Sequence, residues 1–96
     1  MTYVVIKELE ETGLKYCPYI TNNYYEAVGY IESCIQDKLD SLKYDKEEKL
    51  ESVNRFWEIE GGEGTGWTVK TKHVDNDNVF TEKWLLIRHE KNLGVK

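Results

Sequence analysis

The residues best suited to chemistry are few and scattered. The only thiols and imidazoles are Cys17, Cys34, His73 and His89, and they form no C-x-x-C, no H-x-x-x-H and no tight cluster. A cysteine nucleophile needs a histidine brought beside it. Cys34 falls on the apolar face of an expected helix, and the "YCPY" around Cys17 fits no nucleophile signature. The run Asp75-Asn76-Asp77-Asn78 starts like a calcium loop but lacks the glycine at the sixth position and the closing glutamate. Asx turn chemistry accounts for it better. Glu58 and Glu60 are expected to share one strand face, the arrangement general acid–base work needs, but Lys70 and Lys72 are expected opposite them as an ordinary charge-laced surface. No enzyme activity, no metal and no cofactor is expected from this set, and no role is assigned to either cysteine.

The glycine cluster "GGEGTGWTVK" invites comparison with phosphate loops. Such loops run from a strand into a helix and carry a lysine aimed at the phosphates. Here no lysine follows a glycine, Glu63 sits among the glycines, and a strand is expected next. No helix N-terminus follows to receive a pyrophosphate. The cluster reads as a hairpin tip.

The elements that must position any site follow from periodicity. Tyr3 to Leu9, a turn at Glu11-Thr12-Gly13, and Leu14 to Ile20 read as a hairpin, with Pro18 placing the second strand at an edge. Asn23 caps a helix with Glu26 reaching back to it, and Ala27, Ile31, Cys34 or Ile35, Leu39 and Leu42 mark its apolar face. Asp45 with Glu48 suggests a second short helix carrying Leu50 and Val53, or a kinked continuation. The remainder reads as a three-stranded meander. Pairing Ile59 with Trp67 and Trp57 with Val69 sets Gly61 opposite Thr65 and leaves Gly62-Glu63-Gly64 as the tip. Closing the next turn on Asn76-Asp77 pairs Val74 with Val79 and His73 with Phe80, and so Val69 with Trp84 and Trp67 with Leu86. One face then collects Trp57, Ile59, Trp67, Val69, Phe80, Trp84 and Leu86, and the helix is expected to pack on it. The other collects Glu58, Glu60, Thr68, Lys70, Lys72, Thr81 and Lys83. The expected fold is a single α+β domain over 1–96, of order ββα(α)βββ.

Composition fits that size. Ninety-six residues, 40% hydrophobic and 32% charged, suit one small globular domain with one modest core. No internal repeat or linker interrupts the chain. The N-terminus has no basic region before an apolar run, and no window reaches the ~18 apolar residues of a membrane span, so a cytoplasmic setting and no membrane partner are expected. Net charge is −5. Residues 23–54 carry eight acids and four lysines, while residues 70–96 carry six bases and four acids. The acidic total argues against direct binding to a polyanion.

Binding to a protein is the expectation that remains. Seven tyrosines are many for this length, and tyrosine gives contact area at low entropy cost. Tyr16, Tyr19, Tyr24, Tyr25 and Tyr30 gather around the second strand and the helix start. Asp37, Asp40, Asp45, Glu47, Glu48 and Glu51 follow and would meet a basic partner. In size, acidity and lack of catalytic motifs the chain resembles, in general character, small proteins encoded by phages and mobile elements. Many of those bind and block a host protein, among them anti-CRISPR and other anti-defence inhibitors, some by nucleic-acid mimicry. That resemblance implies an inhibitor whose partner is a host protein, extending to a nucleic-acid-binding one for which the six acids stand in for phosphates. The alternative is a homo-oligomer that takes a small ligand or single-stranded nucleic acid on the sheet face bearing Lys70, Lys72 and Lys83.

Overall fold

The computed structural model describes residues 2–59 and 62–89, with the backbone alone at 58, 59, 62 and 63. In chain order the elements are β1 (Thr2–Leu9), β2 (Leu14–Thr21), α1 (Tyr24–Leu42), β3 (Glu48–Ile59), β4 (Gly62–His73) and β5 (Val79–His89). The strands make one antiparallel sheet in the order β2-β1-β5-β4-β3, and α1 packs on one face. This is the expected α+β domain with a single helix.

The first hairpin closes through Gly13, whose φ of 70° suits a residue without Cβ. β2 is an edge strand, as Pro18 implies. Cys17 and Pro18 together oppose Ile6, since Val5 pairs with Tyr19 and Lys7 with Tyr16. The proline thus sits in a bulge, where a missing N–H breaks no ladder bond.

Helix α1 starts at the expected cap. The Asn23 side chain accepts from the Tyr25 and Glu26 amides at 2.9 and 3.2 Å. Glu26 does not reach back to Asn23. It accepts the Thr21 hydroxyl at 2.8 Å, and Thr21 in turn accepts the Asn23 N–H. Ala27, Ile31, Ile35 and Leu42 are the buried stripe, with Cys34 and Leu39 at its margin. Ala27, Ile31 and Ile35 meet Val5, Trp67, Val69, Trp84 and Leu86 in one core. Full burial of such side chains is worth about 1.5–3 kcal/mol each.

The second helix does not form. Asp45 does act as a cap, accepting the Glu47 and Glu48 amides at 2.7 and 2.9 Å. What it caps is a turn, and Glu48 opens the twelve-residue strand β3. An Asx turn and a capping box begin with the same local bonds; here tertiary pairing with β4 decides the outcome.

The meander's registers also differ from expectation. Val69 pairs with Val53 rather than Trp57, and Trp67 with Arg55 rather than Ile59. Ile59 pairs with Gly62, so the tip lies at Glu60-Gly61, outside the described residues, and Gly62 and Gly64 belong to β4. The expected pairing of Gly61 with Thr65 likewise involves a residue outside that set. At the second turn Trp67 pairs with Trp84 and Lys72 with Val79. At Trp67 and Val69 the displacement is even, four residues against β3 and two against β5, and an even slip keeps a side chain on its face; past the second bulge Ile59 moves five, from Trp67 to Gly62. Trp67 and Trp84 are accordingly buried beneath α1, at 5% and 3% exposure. Trp57 shares their face yet is 64% exposed, because it lies past the ground that α1 covers. Lys70 and Lys72 face Ser52 and Lys49 across the ladder, not Glu58 and Glu60.

Two bulges explain the shifted β3–β4 ladder. Glu51 is an extra residue between the pairs Leu50–Thr71 and Ser52–Lys70. Nearer the tip, Gly64 and Thr65 together oppose Trp57, between the pairs Phe56–Gly66 and Glu58–Glu63. The Thr65 hydroxyl satisfies the second bulge by donating to the Phe56 carbonyl at 2.8 Å. None of the described helices is long and apolar enough to cross a membrane.

Candidate functional site

Three surfaces could work on another molecule, and each is built by a different part of the fold. The first is the outward side of α1. Tyr25, Glu26, Glu32, Gln36, Asp37 and Asp40 are exposed along it. The helix's one internal lysine, Lys38, turns instead toward the sheet, 3.8 Å from Glu48 and 3.9 Å from Glu82, which also holds Lys7 at 3.3 Å. The outer face is therefore left anionic. Glu32 and Asp37 have no ion-pair partner among the described residues, whereas Asp40 accepts Gln36 at 3.0 Å and Lys43 at 3.3 Å. Those two bonds, Gln36 first, hold the Asp40 carboxyl below the usual carboxylate range.

The tyrosines expected to bind a partner divide into two groups. Tyr19 stacks on Tyr30 at 4.5 Å, Tyr30 meets Trp84 edge-on, and Tyr24 meets Tyr3 edge-on at 5.6 Å. These three pack against the core margin. Burial first, then Cys34, Tyr16 and Tyr19, push the Tyr30 hydroxyl above its usual pKa, so it stays protonated and neutral beyond the ordinary tyrosine range. Tyr16 and Tyr25 remain exposed. Tyr30, Cys34 and Asp37 follow at helical spacing, which joins the tyrosine cluster on the β2 edge to the acidic side of α1. The other acids lie apart. Asp45 is spent on the turn, where the Glu48 and then the Glu47 amide hold its carboxyl below the usual range. Glu48 is paired with Lys38, Glu47 is exposed in the turn, and Glu51 stands on the β3 bulge.

The second surface is the sheet face away from α1. Cross-strand pairing puts Lys49, Lys70, Lys72 and Lys83 there with Ser52, Asn54 and Thr68. Lys49 and Lys72 are directly opposite one another, an arrangement that costs stability. Lys72 reaches Asp77 at 3.3 Å, while Lys49, Lys70 and Lys83 have no ion-pair partner among the described residues. Phe56 lies on the same face over Gly66, with the Lys83 ammonium 5.7 Å from its ring centre. Beyond Phe56 the face turns apolar, through Leu85, Val4, Ile6 and Ile87.

The third is a cleft of about 220 Å³ between the start of α1 and the β3–β4 arm, lined by Tyr3, Tyr24, Trp57, Gly64, Thr65, Leu86 and Arg88. Beside it the Arg55 guanidinium lies 4.0 Å from the Trp57 ring centre and 4.5 Å from that of Trp67. Arg55 Nε donates to Thr65 Oγ1 at 3.4 Å. Sequence reasoning missed Arg55, Trp57 and Arg88 as site residues. The available signal was Arg55 two residues before Trp57, which alternation puts on one strand face.

Among the described residues no three His, Cys, Asp or Glu side chains converge to hold a metal. The Asp75–Asn78 stretch forms its turn with Asn78 N donating to Asn76 Oδ1 at 3.2 Å. Compared with known proteins, the chain matches no family model, no curated protein and no solved structure.

Proposed function

We propose that this protein is a non-enzymatic binding module whose partner is a protein presenting a basic surface to the outer face of α1. One observation carries the reading: that face exposes Glu26, Glu32, Asp37 and Asp40, with Lys43 at the helix end offsetting Asp40 alone, because Lys38 is drawn into the sheet-side pairs. A net-negative stripe speeds encounter with a basic surface and penalises acidic ones. Tyr16 and Tyr25 flank it with exposed aromatic area. Inhibition of the partner by occlusion is the mode suited to a chain of this general character.

Charge density argues for a protein-shaped partner over nucleic-acid mimicry. Glu26 to Asp40 spans about 21 Å of helix at ~1.5 Å per residue. Four carboxylates over that distance are sparser than the phosphates of one DNA strand, at about 3.4 Å of axis each. Asp45 and Glu48, which would extend the row, already have partners.

The test is to co-purify the partner from host lysate, identify it, and measure its affinity for the wild type and for the triple variant E32K/D37K/D40K. A loss of about tenfold or more, with a flatter salt dependence, is expected. Unchanged affinity removes the α1 face from the reading.

A second reading is favoured by the unpaired lysines and by Phe56 beside Lys83 on the open sheet face. It is a homo-oligomeric module for single-stranded nucleic acid or a small ligand. Replacing Lys70, Lys72 and Lys83 with alanine should then abolish oligonucleotide binding at moderate salt. No binding by the wild type, with a monomeric mass, sinks it.

A further inference from the structure

We infer that the cleft between the start of α1 and the β3–β4 arm is a binding site for a planar ring carrying an oxyanion, such as a nucleoside monophosphate or an aromatic carboxylate. Its walls are aromatic on both sides, with Tyr3 and Tyr24 from β1 and α1 and Trp57 from the arm. Trp57 is the most exposed of the three tryptophans, at 64%, and one side of its indole is taken by Arg55. A ring entering the cleft meets π-faces and Leu86, and stacking of this kind is indifferent to the identity of the ring.

The oxyanion half of the site rests on Arg55, which stands outside the lining itself, against the lining residues Trp57 and Thr65. Cation–π contact with two indoles and the Nε bond to Thr65 fix its plane. Its terminal nitrogens make no hydrogen bond or ion pair among the described residues. A guanidinium held this way has already lost its rotamer freedom, so a carboxylate or phosphate gains a two-pronged contact at little entropic cost. Arg88, in the cleft lining, adds a second positive group. At the start of α1 the Tyr25, Glu26 and Ala27 amides are already taken by Asn23. Glu26, bonded to Thr21, is the acid at this end of the helix. At about 220 Å³ the cleft is smaller than the roughly 300–1,000 Å³ of sites for drug-sized ligands. It suits one ring with its charged substituent and not a whole dinucleotide.

The experiment uses the intact chain and the indole N–H resonance of Trp57, assigned by its loss in Trp57→Phe. It is titrated with AMP, with indole-3-acetate, with adenosine and with inorganic phosphate. Saturable movement with AMP or indole-3-acetate is expected, at least about tenfold tighter than with adenosine or phosphate alone, and the anion that binds distinguishes nucleotide from aromatic acid. Arg55→Ala should weaken it about tenfold or more. Arg55→Lys, which keeps the charge but not the fork, should weaken it nearly as much. A thermal melt of each variant confirms that it is folded, and the ring-against-anion comparison on the wild type needs no variant at all. No saturable shift with any probe, phosphate binding as tight as AMP, or undiminished binding by folded Arg55→Ala would each overturn the site.

Discussion

Trp84 and Trp57 occupy the same face of the same sheet and meet opposite fates. Trp84 is sealed under α1 with Lys7 4.9 Å from its ring, and Trp57 stands in solvent with Arg55 4.0 Å from its ring centre. The difference is length. Nineteen residues of helix reach about 28 Å at ~1.5 Å per residue, while the molecule is 52 Å along its long axis. The part of the face under α1 therefore becomes core, and beyond it lies an aromatic arm whose inner edge, Trp67, is protected by an arginine. Alternation assigns a side chain to a face; only the covering element decides whether that face is dry.

The largest test of this division sets Ile31→Ala against Trp57→Ala. Ile31 is fully buried under the helix, so truncation should cost about 2–5 kcal/mol by denaturant unfolding. Trp57→Ala should cost about 1 kcal/mol or less. Equal losses would mean that the arm is as much core as the helix-covered half. On the arm's other face, a Cβ at Gly66 would land inside the Phe56 ring. Gly66→Ala should therefore cost about 1–3 kcal/mol, and adding Phe56→Ala should remove the clash, a coupling that a double-mutant cycle reads directly. Asn23→Ala should loosen the covering helix by about 1 kcal/mol, moving the melting temperature while leaving Trp57 fluorescence at its solvent-exposed value.

The smallest effect belongs to the joint between the two halves. Asp45 is held below the usual carboxylate range by the Glu48 and Glu47 amides. A depressed folded pKa contributes stability that is present above the unfolded value, near 3.9. That contribution is lost as pH falls through the folded value. Asp45→Asn should thus melt slightly below the wild type at neutral pH, and the gap should close as pH drops below about 4.

Much of the fold was legible because it rests on local signals that tertiary contacts reinforce. Gly13, Pro18, Asn23 and the stripe from Ala27 to Leu42 all do what their types and spacing suggest. The faces of β4 and β5 were legible too, because slips of even length leave them unchanged. What escaped is what depends on non-local pairing. The bulges at Glu51 and at Gly64-Thr65 have no local mark, and without them the register slides. Asp45 and Glu48 carry a helix-start pattern that β4 overrules. Of the candidate sites, the acidic helix could be read from periodicity. The Arg55 cleft could not, since it joins β1, α1, β3, β4 and β5.

The strand order also governs when this chain can become a folded object. β1 lies between β2 and β5, and its partners on β5 are 73 residues away at Leu9–Glu82 and 87 away at Thr2–His89. Neither the N-terminal ββα piece nor the C-terminal meander has the other wall of the core until that ladder zips. Closure over such separations comes late and slowly. During synthesis β1 emerges well before β5 with one side unsatisfied, and it waits, an open edge, for β5 to leave the ribosome.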